Sequence, residues 1–123
     1  MGKGEWMRAK EKERLLRKLD VELRHYRRAG MEEDPTNGLL RAVRMALQMP
    51  VKEIAEKMGV VRSAVFDLEA RERSSTISLR MLSRMAKAME CKVVYGIVPR
   101  DEKTLEDLAE VMSWRREVEK SRG

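Results

Sequence analysis

A glycine at position 59, set between two short segments whose apolar residues recur at helical spacing, constrains this chain more than any other feature. Before it, Ile54, Ala55 and Met58 make one face of a helix expected over 51–58, which Pro50 can open from its N-terminal side. After it, Val65 and Leu68 make the inward face of a second helix, expected to start at Val61 or Arg62 and to run to Arg71. Glycine tolerates the left-handed backbone that a tight helix reversal requires, and Ala55 is small where the two helices would cross. Two helices joined in this way fold as a helix-turn-helix, with the N-terminal exposed side chains of the second offered to a groove.

Further helices are expected on both sides. Leu39, Leu40, Val43 and Leu47 mark one that stops at Met49, because the proline ring at 50 disfavours helical geometry in the preceding residue. Residues 74–77 read as a loop, and Ser78 is placed to cap a helix carrying Leu79, Leu82, Ala86 and Met89. From about Glu5 to Ala29, Leu16, Leu19, Leu23 and Tyr26 form a narrow stripe on a long charged helix, fit for a seam within the chain or with a second copy. Gly30 and the run Asp34, Pro35, Thr36, Asn37, Gly38 end it as a linker. A last helix, about 104–120, has Thr104 and Asp107 at capping-box spacing and Leu105, Leu108 and Met112 as its stripe.

The segment 92–99 is rich in β-branched residues and closed by proline, and it reads as the one β-strand of the chain. Val93, Tyr95 and Ile97 would lie on one face, Val94 and Val98 on the other, and both faces should be covered. A single strand cannot satisfy its own backbone, so the expected partner is the same segment of a second copy, giving a twofold homodimer. The alternative is a packing role within one chain. The expected organisation is an N-terminal helical extension and linker over 1–37, the helix-turn-helix domain over 38–91, and a dimerisation strand with a C-terminal helix over 92–123.

Charge points to a polyanionic partner. Lys and Arg exceed Asp and Glu by 27 to 21, and the excess is concentrated in residues 38–99, which hold 11 basic and 6 acidic groups. Double-stranded DNA fits such a local excess, since each neutralised phosphate releases counterions; a solubilising face is the plainer alternative. The single cysteine, Cys91, fits a reducing cytoplasm and rules out a disulfide within the chain. Neither an export signal nor a membrane span is expected, as no 18 apolar residues follow one another. Lone His25 reads as a surface residue, Trp6 and Trp114 as packing anchors or a partner surface, and Met58, Met85 and Met89 as core fillers. With no glycine-rich phosphate loop, no histidine beside a nucleophile and no metal spacing, an enzyme is not expected, nor any cofactor or metal.

The stretch from Leu40 to Met89 resembles the phage-repressor-type helix-turn-helix family, through Leu40-Arg-Ala-Val-Arg44, Ile54-Ala-Glu-Lys-Met-Gly-Val60, Leu68-Glu69 and Ile77-Ser-Leu79. Over more of its length the chain is similar to the "mobile mystery protein A" family, through Leu19-Asp20 and the Val94-Tyr95-Gly-Ile-Val98-Pro99 segment. The first resemblance implies a mainly α, lambda-repressor-like core. It puts Arg62, Ser63 and Asp67, with Phe66 beside them, on the base-reading edge of the recognition helix, and makes Arg44 and Glu69 an internal ion pair. Arg62 would donate to guanine, Phe66 would touch a thymine methyl and Asp67 would accept from a cytosine amine. Phosphate contacts are expected from Lys52 and Lys57, and from Arg71, Arg73, Ser74, Ser75 and Thr76 in the loop after the second helix. Val61 stands where that family usually has Ser or Thr, which removes a cap and a phosphate donor, and Asp67 where a neutral or basic residue is common. The second resemblance implies a DNA-binding regulator with a Fic-domain protein as a possible partner. The competing expectation is an antitoxin-like module that binds such a partner, with DNA binding secondary.

Overall fold

The computed structural model describes residues 8–29 and 38–122. Trp6, the helix start expected near Glu5 and the expected linker up to Asn37 lie outside the described residues. Those described contain seven helices: α1 Ala9–Glu22, α2 Arg24–Ala29, α3 Leu39–Ala46, α4 Val51–Met58, α5 Arg62–Arg73, α6 Leu79–Ala88 and α7 Leu105–Arg122. They fall into two compact units, a central one ending at Val94 and one made from the two flanks of the chain.

In the central unit α4 packs on α5 and α6, and α3 closes over α5 and α6. Leu40, Ile54, Met58, Val65, Leu68, Met85 and Met89 are buried together, with Val43, Val51, Val60, Ile77 and Leu82 packed around them. Each fully buried side chain of this size contributes about 1.5–3 kcal/mol relative to exposure, so burial dominates this unit. The three core methionines fill the space between helices, as their spacing predicts. Each of the four helices ends in the same way, with a left-handed residue followed by an amide that bonds the carbonyl five positions earlier. Gln48, Gly59, Ser75 and Glu90 carry the positive φ, and the closing bonds are Met49 N to Arg44 O, Val60 N to Ala55 O, Thr76 N to Arg71 O and Cys91 N to Ala86 O, at 2.8–3.0 Å. The third helix therefore stops at Ala46 rather than at Met49: the turn at Gln48 comes before Pro50 exerts its restriction. Ser78 caps α6 as expected, its Oγ accepting from the Met81 amide at 3.1 Å.

In the flanking unit α1 packs along α7, and α2 continues α1 after a single non-helical residue, Leu23. The long N-terminal helix of the sequence reading is thus two helices. Neither α1 nor α7 buries a residue fully. Polar links locate α7 instead. The Asp20 carboxylate accepts from the Leu105 amide at 2.7 Å and the Glu106 amide at 3.2 Å, Thr104 Oγ1 accepts from the Asp107 amide at 3.1 Å, and Arg17 pairs with Glu106 at 3.6 Å.

The expected β-strand is corrected. Residues 92–99 are without helix or strand, because a strand exists only through hydrogen bonds to another, and among the described residues no second extended segment lies beside this one. Nor are both faces covered, since Val94, Tyr95 and Ile97 are 64%, 68% and 74% exposed while Val93 and Val98 are half-buried. β-branched composition reported an extended backbone and not a ladder. Gly96 has its own reason: a Cβ there would stand 2.5 Å from Tyr26 Cγ, so the backbone passes too close to that ring for any side chain.

Candidate nucleic-acid interface

Gly59 adopts φ 69° and ψ 35°, which reverses the chain between α4 and α5 with no side-chain cost. Val65 and Leu68 face into the core, so the opposite edge of α5, carrying Arg62, Ser63, Phe66 and Asp67, is turned outward. All four are exposed, Phe66 by about half its area. Val61, in N-cap geometry but without a polar side chain, gives the start of α5 no side-chain cap, so the positive helix end beside them is of the kind that accepts phosphate.

The back of α5 is fixed by two carboxylates one turn apart. Glu69 takes a two-pronged ion pair from Arg44, Nε at 2.7 Å and Nη2 at 3.2 Å, with the side chains only 2% and 8% exposed. Glu72, not anticipated from sequence, accepts from the Leu40 amide at 2.8 Å and so caps the start of α3. Its position three residues after Glu69 was the available signal, since that spacing repeats a helix face. Arg84, also unanticipated, donates to the Met58 carbonyl at 3.3 Å and ties the end of α4 to α6.

The candidate phosphate-binding groups lie at both ends of the pair of helices. Lys52 and Lys57 are exposed on α4, and Lys57 is 3.7 Å from Glu53 one turn away. Arg71, Arg73, Ser74, Ser75 and Thr76 are exposed at the far end of α5, beginning about 14 Å from Arg62 along the helix at roughly 1.5 Å per residue. Ser74 Oγ and Thr76 Oγ1 are 2.9 Å apart and both reach the Arg71 carbonyl, at 3.2 and 3.5 Å, which orders the loop. Asp67 is not an isolated carboxylate: Arg71 Nε sits 2.9 Å from it across one turn, with both side chains more than half exposed.

Residues 40–95 match the family described as Helix-turn-helix. The segment is thus similar to helix-turn-helix domains of the phage-repressor type. The match spans α3 to α6, just under half of the chain, and reaches neither α1 and α2 nor α7. No curated protein and no solved structure matches the chain. Within the matched segment, α5 follows the glycine turn as the second helix of the pair, the place from which helix-turn-helix proteins offer a helix to the major groove.

Elsewhere the groups singled out in the sequence are dispersed. His25 and Trp114 are exposed, so Trp114 does not anchor packing here. Among the described residues no three His, Cys, Asp or Glu side chains converge on a possible metal position, and no helix is long and apolar enough to cross a membrane.

Proposed function

We propose that the protein is a cytoplasmic, non-catalytic, sequence-specific transcriptional regulator, a dimeric repressor that reads the major groove with α5. The observation that carries this reading is the outward edge of α5, where Arg62, Ser63, Phe66 and Asp67 are all exposed on a helix whose back is pinned by the buried Arg44–Glu69 pair. Arg62 donates to guanine O6 and N7, Phe66 meets a thymine methyl, and Asp67 accepts from a cytosine amine, its charge screened from the phosphates by Arg71. Lys52, Lys57, Arg73, Ser75 and the ordered hydroxyls of Ser74 and Thr76 contact the backbone and set the register without reading sequence.

Selection of bound sites from random duplexes, run with the wild type and with Arg62→Ala, tests this directly. One base position is expected to lose its preference, at about 1–3 kcal/mol of discrimination, while salt-dependent general binding persists. An unaltered consensus would overturn the role of Arg62.

Dimerisation is supported by the exposed Val94, Tyr95 and Ile97, apolar groups that a second copy would remove from water. It would set two recognition helices at half-sites roughly 34–36 Å apart. A strictly monomeric species in sedimentation at micromolar concentration removes it. The exposed Val21 and Trp114 of the flanking unit favour a second reading, an antitoxin-like surface for another protein such as a Fic-domain partner. Binding of such a partner with no affinity for any duplex would replace the first reading.

A further inference from the structure

The flanking unit holds an open cavity of about 610 Å³ between α2 and the segment that leads into α7. That volume is within the range of small-molecule sites, roughly 300–1,000 Å³. Arg24, Arg27 and Arg28 line it from α2, and Arg100 and Lys103 from the other segment, five cations in all. Two carboxylates, Asp101 and Glu102, also line it, and Asp101 lies 3.8 Å from Arg100 with both side chains well exposed. Cations therefore outnumber carboxylates on its lining, even with Arg27 offset by the nearby Asp20 and Arg100 by Asp101. Among the described residues neither Arg24 nor Arg28 has a carboxylate within ion-pair distance.

Arg27 is already held in place. Its Nη1 donates to the Asp20 carbonyl at 2.7 Å and stands 3.7 Å from the Asp20 carboxylate, whose two oxygens are occupied by the first amides of α7. A guanidinium fixed in this way loses little freedom when it meets an anion, and its planar fork suits a carboxylate or phosphate. Val98 and Pro99, with the methylene stems of the arginines, supply an apolar wall that a bare inorganic ion would leave unused.

We propose that this cavity binds a small amphipathic organic anion, an apolar body carrying a carboxylate, sulfonate or phosphate ester. The site belongs wholly to the flanking unit and does not depend on how α5 reads DNA. Its size and concavity favour a compact ligand over the backbone of a duplex, which would need a basic stripe rather than a pocket.

Calorimetric titration of the full chain with 1-naphthoate tests the proposal, with neutral 1-naphthamide and inorganic sulfate as comparison ligands. Naphthoate is expected to saturate one site per chain, with affinity reduced roughly tenfold or more in the Arg24→Gln, Arg28→Gln double variant. Both residues are exposed on α2, so the variant retains the packed parts of the fold. An Arg80→Gln, Lys87→Gln variant, which removes two exposed cations from α6, should bind naphthoate as the wild type does. Undiminished binding in the α2 variant overturns the proposal, as does equal binding of the amide or of sulfate. Displacement of naphthoate by a short duplex of random sequence would give these arginines to nucleic acid and overturn it likewise.

Discussion

The two units of this protein are held by different forces. Every fully buried apolar side chain among the described residues lies between Leu40 and Met89, in the central unit, and none lies in α1 or α7. The central unit is a core with helices wrapped on it, and its polar links, the buried Arg44–Glu69 pair and Glu72–Leu40, fasten α3 to α5 beside the apolar side chains. The flanking unit reverses this order. Half-buried leucines bring α1 and α7 together, and a carboxylate at Asp20 decides where α7 begins. Burial gives a unit depth of stability, whereas capping and exposed ion pairs give position at low stability. Amides of α1 and α7 are accordingly expected to exchange before those of α4 to α6. Such a loosely held unit, with Tyr95, Ile97 and Trp114 exposed, is the part of the chain best suited to gain stability from a ligand or a partner.

Arg44→Ala is the severest test of that contrast. It strands the buried Glu69 carboxylate without its partner, a loss of about 3–5 kcal/mol when one member of a buried pair is removed. The midpoint of thermal or urea unfolding should fall, and duplex binding with it, because α5 loses its anchor. Hydrogen exchange on the variant should rise in α3 to α6 and stay unchanged in α1 and α7. An unchanged melt would refute the structural role of the pair, and equal loosening of the flanks would show that the two units unfold as one.

Asp20→Ala probes the other side, with a smaller effect. Removing a capping side chain costs about 0.5–2 kcal/mol, and here it frees the Leu105 and Glu106 amides and releases one partner of Arg27. Exchange at those two amides should quicken while the central unit keeps its protection. Unaltered exchange there would mean that α7 is located by its packing alone.

What could be read in advance follows the same divide. The core was legible because apolar spacing at 54, 55, 58, 65 and 68 is a direct record of burial, and the cap at Ser78 because hydroxyl and position coincide. Of the four helix ends closed by a left-handed residue only Gly59 announced itself; Gln48, Ser75 and Glu90 adopt that backbone because the surrounding helices require it, at a local cost that composition does not record. The link from Asp20 to α7 spans 85 positions, beyond any periodicity, and the extended segment at 92–99 shows composition favouring a backbone shape without supplying its partner. On α5, exposure of the outward edge was legible from Val65 and Leu68 pointing inward, but the Asp67–Arg71 and Glu72–Leu40 links depend on side-chain choices among several acceptors.

The smallest effect is a gain. Val61 and Ser78 occupy equivalent places, N-caps with φ near −75° and ψ of 156° and 152°, yet only Ser78 offers an oxygen to the amide three residues on. The Ala64 amide of α5 instead reaches the Val61 carbonyl at 3.0 Å. Val61 is largely exposed, so its isopropyl group contributes little burial and Val61→Ser sacrifices little. With the backbone already in cap geometry, the serine oxygen can meet the Ala64 amide, and about 1 kcal/mol of added stability is expected. The urea midpoint should rise with no change in slope, and the added protection should stop at α3 to α6. A midpoint that falls or stays fixed would mean that the start of α5 already has its amides satisfied, and that α5, unlike α6 with Ser78 and α7 with Asp20, draws nothing from a polar cap.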